Sequence, residues 1–198
     1  VTKAFAKKLG FIYLDTGAMY RAVTWLIISN SITPNNQVEI KKILRDLKLE
    51  FKNANLDDQK IFINNTDVTE KIRSPEVTSQ VSEIAKQQFV RELLTKKQQV
   101  IGNEGGLVAE GRDIGTAVFP DAEVKIFLTA SPKERAIRRS LDLKKRGYEY
   151  SNIEDLEQEI KERDKKDSER EIAPLKKAQD AIELVTDGMN IEDVLKEI

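Results

Sequence analysis

The sequence predicts an α/β fold, a parallel sheet flanked by helices, with a small β-rich insert and a charged helical segment. Three observations carry this. Short apolar runs alternate with amphipathic stretches at helical spacing, a pattern that implies parallel strands joined by helical crossovers. Between residues 49 and 63 the apolar period switches to two. From Glu154 to Glu171, 14 of 18 residues are charged, too many to bury.

In chain order, residues 2–9 read as a helix, with Phe5 and Leu9 one turn apart and Gly10 as the stop. Phe11-Ile12-Tyr13-Leu14 reads as a buried strand ending at Asp15, and Met19, Ala22, Val23, Leu26 and Ile27 form the stripe of the next helix. Ile40, Ile43, Leu44 and Leu47 give a short amphipathic helix. Residues 49–52 and 60–63 alternate around the turn-forming stretch 53–58. One long helix is expected over 76–99, closed by the glycine-rich loop 102–106. Buried strands follow at 107–110 and 124–128. Ser131-Pro132-Lys133-Glu134 opens a helix by a capping box, and Ser151-Asn152-Ile153-Glu154 opens another in the same way. The chain closes with a strand at 182–185 and a helix whose apolar face is Ile191, Val194, Leu195 and Ile198.

Composition narrows the chemistry. With 33 basic and 34 acidic residues there is no global field to attract nucleic acid or an anionic membrane, so neither is expected as a partner. No run approaches the roughly 18 apolar residues of a membrane span, and the opening residues lack the pattern of a signal peptide. A cytoplasmic location is expected. Cysteine and histidine are both absent, so chemistry falls to carboxylates, arginines, lysines, hydroxyls and backbone, without the commonest general base or the commonest zinc ligand, and no dedicated metal site is assigned.

In open parallel sheets, ligands bind beyond the carboxyl ends of the strands, which is where Asp15-Thr16-Gly17 and Glu110-Gly111-Arg112-Asp113 fall. The first group either caps the following helix or helps that helix N-terminus hold an anion, with Thr16 and Arg21 adding donors. The second is either a self-contained surface pair of Arg112 and Asp113 or a ligand site, and the flanking glycines favour the ligand site. Arg163, Asp167 and Arg170, spaced four and three apart, stack two guanidinium groups about one carboxylate. That face suits a ribose and a phosphate, although in so charged a stretch it also arises by chance.

Several segments resemble the cytidylate kinases in order and spacing. They are Leu14-Asp15-Thr16-Gly17-Ala18-Met19-Tyr20-Arg21-Ala22, Asp67-Val68-Thr69-Glu70, Ile72-Arg73-Ser74-Pro75-Glu76-Val77, Val81-Ser82, Val90-Arg91, Glu110-Gly111-Arg112-Asp113-Ile114-Gly115-Thr116, Phe119-Pro120-Asp121-Ala122, Glu134-Arg135-Ala136, Arg138-Arg139, Arg163-Asp164 and Ala173-Pro174-Leu175. The resemblance covers essentially the whole chain. It implies a P-loop kinase core over 1–48 and 73–198 with a lid at about 140–172, and a nucleoside monophosphate-binding insert over 49–72. It implies transfer of a phosphoryl group from ATP, with Mg²⁺, to CMP or dCMP, by a protein that is a monomer when intact and serves pyrimidine nucleotide metabolism.

By the same resemblance, Thr16, Arg21, Arg112 and Arg170 hold the CMP phosphate, and Ser82, Arg91 and Asp113 read the cytosine edge. Arg163 and Asp167 take the ribose hydroxyls, and Arg135 and Arg139 face ATP. Arg112, Arg139 and Arg170 carry the catalytic charge.

Two departures stand out. Glu110 occupies a position where the family often has aspartate, and by the resemblance it still supplies a carboxylate near Mg²⁺, with a longer reach. The pattern G-x-x-x-x-G-K-[ST], expected before the first helix, is not found, so the sequence is expected to be a fragment and the literal 198-residue chain to be inactive. Alternative readings are another small P-loop kinase, such as a shikimate or adenylate kinase, and a non-catalytic nucleotide-binding protein without the loop.

Overall fold

The computed structural model describes residues 1–53, 59–148 and 152–198. The turn expected at 53–58 therefore lies outside the described residues beyond Asn53, as does the expected cap at Ser151. The chain divides into two compact units, Thr2–Gly111 and Arg112–Ile198 together with Val1.

In the first unit, α1 (Thr2–Leu9) ends at Gly10, whose φ of +70° is a conformation that suits glycine. Strand β1 (Ile12–Asp15) pairs in parallel with β5 (Leu107–Glu110), placing Asp15 opposite Glu110 at the carboxyl ends of both strands. Helix α2 (Thr16–Ser29) follows β1 directly and supplies much of the core through Met19, Val23 and Ile27. Helix α3 (Gln37–Leu44) adds Ile40 and Leu44.

The insert is an antiparallel sheet of β2 (Leu49–Asn53), β3 (Gln59–Ile63) and a two-residue β4 (Thr66–Asp67) that the period-two pattern is too short to reveal. Its Ile61 and Ile63 join the same hydrophobic cluster as Leu14 and Met19, so the insert is anchored on the core of its own unit.

The single long helix expected over 76–99 is two helices, α4 (Pro75–Ala85) and α5 (Gln88–Gly102). Gln87 is extended at the break (ψ 122°), and side chains take up the released carbonyls and anchor the turn. Arg91 donates to Ala85 O at 3.0 Å, and Gln87 Nε2 donates to Pro34 O at 2.7 Å. No glycine or proline marks the break, so tertiary bonds rather than local propensity set it.

In the second unit, a π-helical turn at Ile114–Val118 follows Arg112-Asp113. Strand β6 (Ile126–Thr129) pairs in parallel with β7 (Ile182–Val185). Strand β6 starts two residues later than expected and leaves Val124 exposed; Ile182 and Val185 are exposed as well. Helix α6 (Pro132–Lys145) is capped by Ser131, which accepts from Glu134 N at 3.2 Å. The reciprocal half of the expected capping box is replaced, because Ser131 N donates to Asp187 while Glu134 pairs with Arg138.

Helix α7 (Ile153–Glu169) is capped by Asn152 and packs on α6 through Ala136, Leu143 and Leu156. Of the face expected on α8 (Ile191–Glu197), only Val194 is buried and Ile191 is exposed. Among the described residues, no helix is long and apolar enough to cross a membrane.

Candidate active site

In the first unit, candidate residues gather at the carboxyl ends of β1 and β5. Asp15 Oδ1 accepts from Ala18 N at 2.8 Å and so caps α2, while Oδ2 pairs with Arg21 at 3.0 Å. Both carboxylate oxygens are thus engaged. Gly17 permits this closeness, since a Cβ there would stand 3.2 Å from Asp15 Oδ1 and 3.3 Å from Arg21 Nη1. Burial holds the Arg21 guanidinium below its ordinary pKa; the Asp15 charge opposes that shift, and Arg73, a like charge, adds to it. Arg21 Nε is buried without a hydrogen-bond partner, leaving a donor for an anion.

The hydroxyl of Thr16 donates to Glu110 O at 2.7 Å, tying α2 to β5. The cap reading of Asp15-Thr16-Gly17 is therefore realised locally.

Glu110 itself accepts a hydrogen bond on Oε1 from the Tyr13 hydroxyl. Burial first, then the Glu110 and Asp15 charges, push the Tyr13 phenol well above the usual tyrosine range, so it stays protonated. Tyr13, Asp15, Gln59, Thr69 and Arg73 line a cavity of about 90 Å³ between β1 and the insert. Tyr13, Gln59 and Arg73 carry no role in the sequence reading. Arg73 sits inside the segment Ile72-Arg73-Ser74-Pro75, which could have flagged it, whereas Tyr13 is indistinguishable there from a core strand residue.

Arg91 is 4% exposed; besides its bond to Ala85 O, it lies over the Tyr20 ring at 5.4 Å. Ser82 is on α4, one turn before the break.

In the second unit, Arg112 and Asp113 do not pair with each other. Arg112 Nε meets Asp167 at 3.2 Å, and Asp113 meets Arg170 at 3.6 Å. Asp167 is 5% exposed and also lies 3.9 Å from both Arg163 and Arg170. The expected arrangement of two guanidinium groups about one carboxylate thus becomes three, with Arg112 supplied by the segment after β5.

Arg170 is not on the helix. It is the C-cap of α7, with extended backbone (φ −64°, ψ 142°), and Nε donates to Ala173 O at 2.7 Å. Ala173 has a φ of +48°, a strained value for a residue with a Cβ, and the chain beyond it returns so that Leu175 N donates to Asp167 O at 2.8 Å. Arg135 pairs with Asp164 across α6 and α7, and Arg139 lies 3.3 Å from Asp142 on its own helix.

Parallel strand pairs flanked by helices, with charged side chains gathered where strands end, define an α/β protein and are consistent with the P-loop kinase type. The chain belongs to the cytidylate kinase family, whose model matches residues 1–198. It is similar to the bifunctional pantoate ligase/cytidylate kinase of Prochlorococcus marinus strain NATL1A, at 86% identity over 198 residues, all of this chain and 38% of that protein. The protein of the same description from Prochlorococcus marinus strain MIT 9303 is 59% identical over 196 residues, 99% of this chain and 40% of that protein. That from Synechococcus sp. strain CC9311 is 54% identical over 195 residues, 98% of this chain and 40% of that protein. The chain thus spans 38 to 40% of the length of these relatives.

Proposed function

We propose that this chain phosphorylates CMP, and dCMP as a second acceptor, using ATP. The observation that carries this reading is the crossed pairing of Arg112 with Asp167 and of Asp113 with Arg170. Arg112 is held through Nε, its side chain is 40% exposed, and its two Nη groups have no partner among the described residues. A guanidinium anchored at one edge and open at the other is preorganised for a phosphate, because little freedom is lost when the anion arrives.

Arg112 and Arg170 take the CMP phosphate in this reading, Asp113 accepts from the cytosine amine, and Asp167 with Arg163 accommodates the ribose. Thr16 and Arg21 are assigned to the phosphate, Ser82 and Arg91 to the cytosine edge, and Arg135 and Arg139 to ATP, on the family resemblance. Transfer is direct and in line. These side chains lower the barrier by positioning the nucleotides and by countering charge on the transferring oxygens, while lid closure excludes water.

The donor set fits Mg²⁺. Among the described residues no group of three or more acidic side chains stands ready to hold a metal, whereas Glu110 Oε2 has no hydrogen-bond or ion-pair partner there. One carboxylate oxygen with nucleotide phosphates and waters is the usual surrounding of this ion. Bound Mg²⁺ supplies charge neutralisation at the phosphates.

The reading further takes the protein to be a cytoplasmic monomer in pyrimidine nucleotide metabolism. The test is ATP-dependent formation of CDP by the natural polypeptide that carries this chain, with Arg112→Lys as the variant. Lysine keeps the charge and loses the edge-held fork, so kcat/KM for CMP should fall about 100-fold, or about 2.7 kcal/mol. Absence of CDP formation by the unaltered protein overturns the reading.

A further inference from the structure

We propose that Tyr13 is a positioning residue that fixes the carboxylate of Glu110 so that a single oxygen, Oε2, is offered to the nucleotide-bound divalent cation. This deepens the proposed function and rests on it.

The inference begins with strand register. Strands β1 and β5 are parallel with Asp15 opposite Glu110, and Tyr13 stands two residues before Asp15, so all three project from the same face of the pair. Tyr13 is thus diagonal to Glu110, within reach for a long side chain, and its hydroxyl donates to Glu110 Oε1. Both backbones are pinned as well. Gln59 Nε2 donates to Tyr13 O at 3.0 Å, and Thr16 Oγ1 donates to Glu110 O at 2.7 Å.

The two carboxylates at the strand ends have been given different tasks. Asp15 has one oxygen on the α2 cap and the other on Arg21. Glu110 has one oxygen on Tyr13 and the other without a partner among the described residues. A glutamate has one more rotatable bond than an aspartate, and its ordering costs more entropy. A phenol that holds one carboxylate oxygen removes that freedom and directs the acid without touching the ligand itself. The remaining oxygen is an acceptor only, which suits a cation or a cation-bound water.

The test is a double-mutant cycle of Tyr13→Phe and Glu110→Gln in the natural polypeptide. Two properties are read: binding of Mn²⁺ to the protein–ATP complex, followed by the electron paramagnetic resonance of free Mn²⁺, and the Mg²⁺ concentration that half-saturates CDP formation. Tyr13→Phe should weaken Mn²⁺ binding and raise the Mg²⁺ requirement, each about tenfold, with the KM for CMP unchanged within twofold. Added to Glu110→Gln it should do nothing further, because the group it positions is already neutral.

Tyr13→Phe that binds Mn²⁺ like the unaltered protein, or effects that multiply in the double variant, overturn the inference and leave the kinase reading standing. An unaltered protein that makes no CDP overturns both. If Tyr13→Phe fails to fold, Glu110→Asp draws the carboxylate back from the phenol by one methylene. It should likewise weaken Mn²⁺ binding about tenfold, and unchanged binding overturns the inference.

Discussion

The guanidinium of Arg112 meets the buried carboxylate of Asp167 at 3.2 Å, although its own chain neighbour, Asp113, is also an acid. Each of the two finds its partner at the C-terminal end of α7 instead. This arrangement supports the second unit and bears on how each residue responds to substitution.

Asp167→Asn leaves three guanidinium groups around a neutral amide in a buried place. Breaking such an arrangement should cost about 3 to 5 kcal/mol in stability, read by denaturant unfolding of the natural polypeptide. In kinetics Asp167→Ala should harm CMP more than a 2′,3′-dideoxy analogue, since a ribose hydroxyl is the partner proposed for this carboxylate. Equal sensitivity of the two substrates would remove the ribose role.

Asp113→Ala should lower kcat/KM for CMP at least tenfold more than for UMP. A carboxylate accepts from the cytosine amine but faces the uracil carbonyl acceptor to acceptor, so only the first interaction is lost. Parallel losses on both nucleotides would make Asp113 a purely structural partner of Arg170.

At Asp15 the cap and the ion pair can be separated. Asp15→Asn keeps an acceptor for Ala18 N and strands the buried Arg21 charge, while Asp15→Ala loses both interactions. The alanine variant should therefore be less stable than the asparagine variant by about 1 kcal/mol, the usual worth of a cap. Equal stability of the two variants would show that the cap contributes nothing here.

Ala173, at a φ of +48°, should accept glycine with a change in stability within about 0.5 kcal/mol, because relief of strain offsets the added freedom of the unfolded chain. A branched side chain tolerates this region less well, and Ala173→Val should cost about 1 to 2 kcal/mol. Thermal unfolding of both variants checks the pair.

Asp187 accepts from Ser131 N at 2.9 Å, and its hydrogen bonds to Ser131, with a smaller contribution from the Arg138 charge, hold its pKa below the ordinary carboxylate range. A depressed folded pKa gives stability that is present above the unfolded value, about 4, and is lost as pH falls through the folded one. Asp187→Asn keeps an acceptor but not the charge. Its stability deficit relative to the unaltered protein should hold at neutral pH and close on acidification below about pH 4. A deficit independent of pH would mean that the ionised form is not what α6 requires.

The sequence alone determined the α/β class, the helices that begin at Asp15 and Ser131, the strand at Ile182–Val185 and the period-two insert. Each of these is written in local chemistry: a capping side chain or an apolar period. It also brought Arg112 and Asp113 forward as candidates, because charges beside an apolar strand demand partners, and Asp167 and Arg170 by their spacing and the family resemblance.

Tertiary structure alone decided which partners they have. Pairing of Arg112 with Asp167 rather than with Asp113 depends on where the end of α7 lies, and no spacing rule encodes that. The break between α4 and α5 is of the same kind, held by Arg91 and Gln87 reaching carbonyls that are distant or out of helical register. So is the bond from Tyr13 to Glu110, since strand register brings together residues that periodicity reads only as core and edge. Local propensity acts over a few residues, whereas a buried polar atom is satisfied by whatever donor or acceptor the fold carries to it.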